Sequence, residues 1–245
     1  MEIVVLGVGE AFTSKYFNTS FLVRHEGYTL AIDCPDRYRG VLASASEETS
    51  LDLTLEDVNA FIITHLHGDH VNGLESVAFY RKFRERRKVD LWAQDQVLED
   101  LWPKRLQVAL EPMFNGEGWG TNTCEEYFNF NSLAIGEVIQ IGPFSVEAYL
   151  TLHHLRATAL KISVGGKSFG YSCDTRFDPQ LIEFLSPADL IFHETNVGPG
   201  HSDYDLLKSL PAETREKMRL VHYQDDFVEE PSQIRCARQG ELYSL

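Results

Sequence analysis

The stretch Thr64-His65-Leu66-His67-Gly68-Asp69-His70 places four potential metal ligands within the six residues from His65 to His70, and no other part of the chain constrains the fold so strongly. Core packing does not explain three imidazoles and a carboxylate this close together, because each ring nitrogen and carboxylate oxygen would need its own polar partner. A bound cation satisfies them together. The preceding run, Val58-Asn59-Ala60-Phe61-Ile62-Ile63, is apolar and of strand length, so the ligands are predicted on the loop leaving a buried strand. In such a loop His65 and His67 can face one point while Asp69 and His70, beyond the flexible Gly68, turn toward a second. One run can therefore serve two adjacent metals.

The rest of the chain offers a large core to hang this loop on. Hydrophobic residues make up 43% of the 245 positions and are evenly spread, without a linker, repeat or low-complexity tract, so a single domain over 1–245 is expected. The formal net charge is -15, from 37 acidic against 22 basic side chains, which repels polyanions at long range and disfavours a large nucleic-acid footprint. A small anion held by divalent cations remains open. No apolar run approaches the ~18 residues of a membrane helix. The Met1-Glu2 start lacks the basic, then long apolar, pattern of a secretory leader. The four cysteines, Cys34, Cys124, Cys173 and Cys236, show no CxxC spacing, which suits reduced thiols and a cytoplasmic location.

In chain order, residues 2–7, 18–23 and 28–33 read as three strands of a meander. The loop from Gly7 to Phe12 begins like a dinucleotide-binding turn, but Phe12 replaces the third glycine and no helix pattern follows, so a plain strand-to-loop turn is expected. After the motif, Leu74, Val77, Ala78, Phe79 and Phe83 mark an amphipathic helix to about Glu85. Its end carries Arg81, Lys82, Arg84, Arg86, Arg87 and Lys88, a run that suits either phosphate steering or a solvated helix end. A strand over 89–93 and a helix over 95–102 lead to a glycine-rich loop, 111–123, whose Met113, Phe114 and Trp119 fit a lid, a dimer contact or packing onto the sheet.

Strands over 138–141 and 144–150 then deliver the chain to His153-His154, and a hairpin over 157–172 ends in Cys173-Asp174. A buried strand over 188–192 ends in His193-Glu194, followed by His201-Ser202, and a final inner strand over 219–221 ends at His222. Hydrophobic strands tipped by polar ligands, with helices between them, predict an α/β sandwich with a site along one edge of the sheets.

This ordered set, from Asn18-Thr19-Ser20 and Asp33-Cys34 through the HxHxDH run to His222, resembles the metallo-β-lactamase superfamily over nearly the whole chain. The resemblance implies an α/β fold, an αββα sandwich of two mixed β-sheets flanked by helices, and two divalent metal ions, zinc or else manganese. His65, His67 and His153 would hold one, Asp69, His70 and His222 the other, and Asp174 would bridge them. Leu160-Lys161-Ile162, similar to a family triplet that ends nine residues after the third histidine, favours His153 over His154 for that place.

Within the superfamily, Phe192-His193-Glu194-Thr195, His201-Ser202 and Leu220-Val221-His222-Tyr223 resemble the phosphodiesterase branch that includes ribonuclease Z. That likeness implies a general acid, His201, oriented by Glu194, with Asp69 serving the nucleophile while it ligates. The interval 71–152 lacks the basic Gly/Pro-rich arm with which long-arm ribonuclease Z enzymes grip transfer RNA. The expectation is therefore a phosphodiesterase for a small nucleotide phosphodiester, a cyclic nucleotide foremost, similar to the compact homodimeric members of the branch. A transfer-RNA 3′ endonuclease and a non-catalytic metal-dependent nucleotide-binding protein are the alternatives. Cys173 stands where the family usually has glycine, next to the bridging carboxylate.

Overall fold

The computed structural model describes residues 1–245. In its first half the strands are β1 (Glu2–Gly7), β2 (Ser20–His25), β3 (Tyr28–Ile32), β4 (Ala60–Ile62), β5 (Val89–Ala93), the hairpin pair β6 (Pro112–Phe114) and β7 (Trp119–Thr121), and β8 (Phe128–Ser132). The second half adds β9 (Val138–Ile141), β10 (Phe144–Leu150), β11 (Thr158–Val164), β12 (Lys167–Tyr171), β13 (Leu190–Glu194), β14 (Met218–Val221), β15 (Arg235–Cys236) and β16 (Leu242–Ser244). Two seven-stranded sheets result, ordered β16-β1-β2-β3-β4-β5-β8 and β15-β14-β13-β12-β11-β10-β9. The expected meander of the first three strands is present as β1-β2-β3, and β9-β10-β11-β12 repeats it in the second sheet. Each sheet is mixed, antiparallel at one side and parallel across β3, β4, β5 and β8 or across β12 to β15.

The apolar runs of the first sheet are continuous because both of its faces are covered. Along β1, Ile3 and Val5 join the core between the sheets, while Val4 and Leu6 join the core beneath the helices. The motif strand repeats this pattern, with Ala60 and Ile62 between the sheets and Phe61 and Ile63 under the helices. Those outer helices include α1 (Tyr38–Thr49), α2 (Gly68–Val71) and α3 (Leu74–Tyr80). Past Tyr80 the helix continues as one wider turn, Arg81–Glu85, which ends at a left-handed Arg86.

The basic run at this turn is largely tied to the protein. Arg81 is buried, donates to the carbonyls of Leu55 at 2.7 Å and Val58 at 2.6 Å, and pairs with Glu85. Lys82 reaches Asn122 and Glu126, and Arg87 reaches Glu56 O at 2.8 Å. The glycine-rich loop forms the β6–β7 hairpin, in which Phe114 and Trp119 are exposed and pack on each other, with ring centroids 5.5 Å apart, rather than on a sheet. No helix is long and apolar enough to cross a membrane.

Sheet direction decides where the functional loops emerge. In the first sheet β1 and β3 run the same way, each antiparallel to β2, and β4 is parallel to β3. In the second, β10 and β12 both run against β11, and β13 and β14 are parallel to β12. The carboxyl ends within each sheet therefore share an edge, the usual place for a site in such sheets. The segments beginning at Gly7, Asp33, Ile63, Thr151, Ser172, Thr195 and His222 all leave from these ends.

Candidate metal centre

The chain leaves β4 through Ile63 and Thr64, where the backbone is held by a neighbouring strand end. Asp33, just past β3 and fully buried, accepts from Thr64 N at 2.8 Å and Thr64 Oγ1 at 2.9 Å. His65 and His67 follow in extended backbone, and α2 then turns Asp69 and His70 inward. His70 Nδ1 donates to Asp33 Oδ2 at 2.7 Å, which aims Nε2, on the opposite side of the ring, at Asp69 and Asp174. In the sequence Asp33 belongs to the family resemblance but has no role assigned to it; a lone aspartate at a strand end carries no local sign of one.

Two groups of ligand atoms assemble here, each within 4.8 Å: His65, His67, His153 and Asp174, and Asp69, His70, Asp174 and His222. In the first, His67 Nδ1 lies 3.1 Å from His65 Nε2 and 3.0 Å from His153 Nε2, while Asp174 Oδ2 is 3.7 Å from both His65 and His153. In the second, His70 Nε2 lies 3.3 Å from Asp69 and 3.4 Å from Asp174, and His222 Nε2 lies 3.3 Å from Asp174 and 4.0 Å from Asp69.

The outer nitrogens of several rings are engaged elsewhere. His153 Nδ1 donates to Gly200 O at 2.9 Å, and His65 Nδ1 meets Thr64 Oγ1 at 3.1 Å and Cys173 Sγ at 3.5 Å. His154 belongs to neither group; its ring lies beside His153, at 4.8 Å between centroids, and against Gly200, where an added Cβ would come within 2.5 Å of His154 Nε2.

Two metal ions fit this arrangement. Three ring nitrogens meeting at about hydrogen-bond distance cannot all be served by one proton. Moreover, Asp69 Oδ2, His70 Nε2 and Asp174 Oδ1 are buried without a hydrogen-bond partner, a costly state that coordination removes. Protonation points the same way. Burial lowers the pKa of His65, His67 and His222, and that of His153 to about 4, so these rings stay neutral as ligands must. Burial also opposes charge on His70, but Asp69, Asp174 and Asp33 together outweigh it and raise its pKa.

Strained backbone holds three of these positions. Asp33 (φ 62°), Cys173 (φ 52°) and His222 (φ 56°) adopt the left-handed conformation without being glycine, at about 1–3 kcal/mol each. Each follows a site-edge strand by one or two residues, where the chain turns sharply away from the sheet.

Beside the cluster, Glu194 closes β13 and is fully buried. Its Oε1 accepts from Thr175 N at 2.9 Å, His201 Nδ1 at 3.1 Å and Ser202 N at 3.3 Å. Burial pushes the Glu194 carboxyl up to about 7, against the pull of these donors. Burial likewise opposes charge on His201, yet Glu194 raises the His201 pKa overall. The His201 ring stacks on His222 at 5.6 Å and 18°, and it lies 5.3 Å from His153. The cavity over these residues measures about 390 Å³ and is lined by Asp69, Asp174, His201 and His222, with Phe12 and Val197 among its apolar lining.

Two mixed sheets flanked by helices, with these loops at one edge, make this a metallo-β-lactamase fold. Solved structures agree: YhfI from Bacillus subtilis, a metallo-beta-lactamase fold protein, superposes with a TM-score of 0.78 at 17% identity, covering 99% of this chain and 98% of that one. The short form of human tRNase Z gives 0.73 at 16% identity, covering 100% and 99%. Zn(2+)-bound PqqB from Methylobacterium extorquens gives 0.74 at 16% identity, covering 100% of both.

At sequence level the chain belongs to the Anti-Pycsar protein Apyc1 family, which it matches over residues 1–243. It is 33% identical over 255 residues to the Anti-Pycsar protein Apyc1 of Paenibacillus sp. (strain J14), covering 100% of this chain and 99% of that protein. To the protein of the same description from Bacillus phage BSP38 it is 32% identical over 260 residues, covering 100% and 98%.

Proposed function

We propose that this chain is a metal-dependent phosphodiesterase, formed by one domain over 1–245, that opens a cyclic nucleotide. His65, His67 and His153 would hold one divalent ion, zinc or manganese, and Asp69, His70 and His222 the other, with Asp174 between them. When bound, the ions lower the pKa of water toward neutrality and stabilise charge on the phosphoryl oxygens.

The protein's own residues supply the remaining steps. Asp69, half-buried and lining the cavity, orients the attacking water and accepts its proton. As the new P–O bond forms, the bond from phosphorus to the ribose oxygen breaks, and that oxygen is a poor leaving group without a proton. His201 donates it from Nε2, because its Nδ1–H is committed to Glu194 at 3.1 Å.

That His201–Glu194 pair beside the two ligand groups is the observation that carries the reading. A lactone or thioester hydrolase has less need of such an acid. The cavity of about 390 Å³ lies in the small-molecule range. The basic run does not favour transfer RNA, because Arg81, Lys82 and Arg87 are engaged within the protein. Four unpaired cysteines suit a cytoplasmic enzyme, and the compact members of the branch it resembles suggest a homodimer.

The test is to incubate the metal-loaded protein with 3′,5′- and 2′,3′-cyclic mononucleotides, bis-p-nitrophenyl phosphate and a precursor transfer RNA. Ring opening to mononucleotide is expected. Cleavage of the RNA alone would establish the endonuclease instead, and tight binding of unchanged nucleotide would establish a sequestering protein.

A further inference from the structure

Phe12 sits in the loop after β1, and that loop leaves from the same sheet edge as the metal ligands. Its side chain is 91% exposed, yet it lines the cavity that contains Asp69, Asp174 and His201. An exposed aromatic on a mobile loop would mean little. This loop is fastened: Asp225 accepts from Thr13 Oγ1 at 2.5 Å, Ser14 N at 2.8 Å and Ser14 Oγ at 2.7 Å, and its carbonyl accepts from Lys15 Nζ at 2.5 Å. Gly9 adds a backbone bridge to Tyr223. The anchor is the segment that directly follows the ligand His222, so Phe12 is positioned by the metal loop itself.

Across the chain, Val197 is 67% exposed and enters the same cavity from the loop after β13, in the second sheet. The amides of Asn196 and Gln224 line it as well. One apolar platform from each sheet, with two amides able both to donate and to accept, is the recognition chemistry of a planar heterocycle.

Resting on the phosphodiesterase reading, we propose that Phe12 and Val197 form a nucleobase clamp, with Phe12 the stacking surface, so that the substrates are nucleotides rather than phosphodiesters in general. Stacking tolerates any base, since every base has a π-face, and the amides adjust preference among them.

The metal-loaded enzyme and its Phe12→Ala, Phe12→Trp and Val197→Ala variants are assayed on a 3′,5′-cyclic nucleotide and on the same ribose cyclic phosphate with the base removed. Binding of the mononucleotide product is measured by calorimetry in parallel, and oligomeric state by sedimentation. Phe12→Ala is expected to raise KM for the nucleotide about tenfold more than for the base-free substrate, equivalent to ~1.4 kcal/mol. It should weaken product binding by a similar factor, with Phe12→Trp restoring both. Equal losses on the two substrates, or a loss that follows a change in oligomeric state, overturns the clamp. If the unaltered enzyme turns over neither substrate, the phosphodiesterase reading falls, and product binding by the Phe12 variants decides the clamp alone.

Discussion

Asp33 accepts the Nδ1 proton of His70 at 2.7 Å, and this fixes which His70 nitrogen faces Asp69 and Asp174. The same carboxylate holds Thr64 N–H, so one buried residue sets both the path of the motif loop and the tautomer of a ligand. Asp33→Asn keeps the shape but turns an NH₂ toward His70 Nδ1 or Thr64 N–H, opposing donor to donor. Metal affinity at the His70 group is expected to fall about 10–100-fold. Chelator competition measures it; an affinity equal to that of the unaltered protein would refute the assignment.

Removing the ions leaves Asp69 Oδ2, His70 Nε2 and Asp174 Oδ1 buried and unpaired. An ion at 100 times its dissociation constant adds ~2.7 kcal/mol, or about 5–10 °C in Tm for a chain of this size. Calorimetry of stripped and reconstituted protein should show that gain together with two ions per chain by elemental analysis. A Tm indifferent to zinc and manganese would exclude the centre.

His201→Ala should slow a cyclic nucleotide by about 10²–10⁴-fold and a p-nitrophenyl diester far less, since only the first leaving group needs a proton. Glu194→Gln tests the pairing through pH. Burial works against the charge on His201 and Glu194 outweighs it, so the acid stays protonated to higher pH than it otherwise would. Without the carboxylate charge the His201 pKa falls, and the basic limb of the kcat/KM profile moves to lower pH. A limb that stays in place removes Glu194 as the orienting group.

Arg81 illustrates a different use of charge. Its buried guanidinium ties the wide helical turn to Leu55 and Val58, the segment leading into the motif strand. Arg81→Ala leaves Glu85 its pairing with Arg87 but strips the Arg81 donor from the Leu55 and Val58 carbonyls, and it is expected to cost about 1–3 kcal/mol per carbonyl. A urea midpoint shift with bound metal per folded molecule unchanged would distinguish this structural role from phosphate steering.

What could be read in the chain follows a physical division. The strands covered on both faces, such as β1 and β4, announce themselves as unbroken apolar runs, and the motif histidines follow one of them directly. Strand β8, with the sequence Phe-Asn-Phe-Asn-Ser, lies at a sheet edge and shows no unbroken apolar run because every second residue is polar. Strand β16 pairs with β1 across more than two hundred residues, a partnership with no local signal. The β6–β7 hairpin read only as glycine-rich loop. Asp33 stands within the family resemblance, but its role is illegible for the same reason as the pairing of β16: it lies in a residue 37 positions away.

The division of ligands between the halves of the chain has a consequence for assembly. His65, His67, Asp69 and His70 leave the first sheet, whereas His153, Asp174 and His222 leave the second, and each ligand group draws on both. Neither half can complete a binding site on its own. Ions captured there stabilise only chains whose two sheets have already docked, so in a refolding experiment metal uptake should lag behind secondary structure and coincide with the final, global step. A centre filled in that order would act as a checkpoint on its own scaffold.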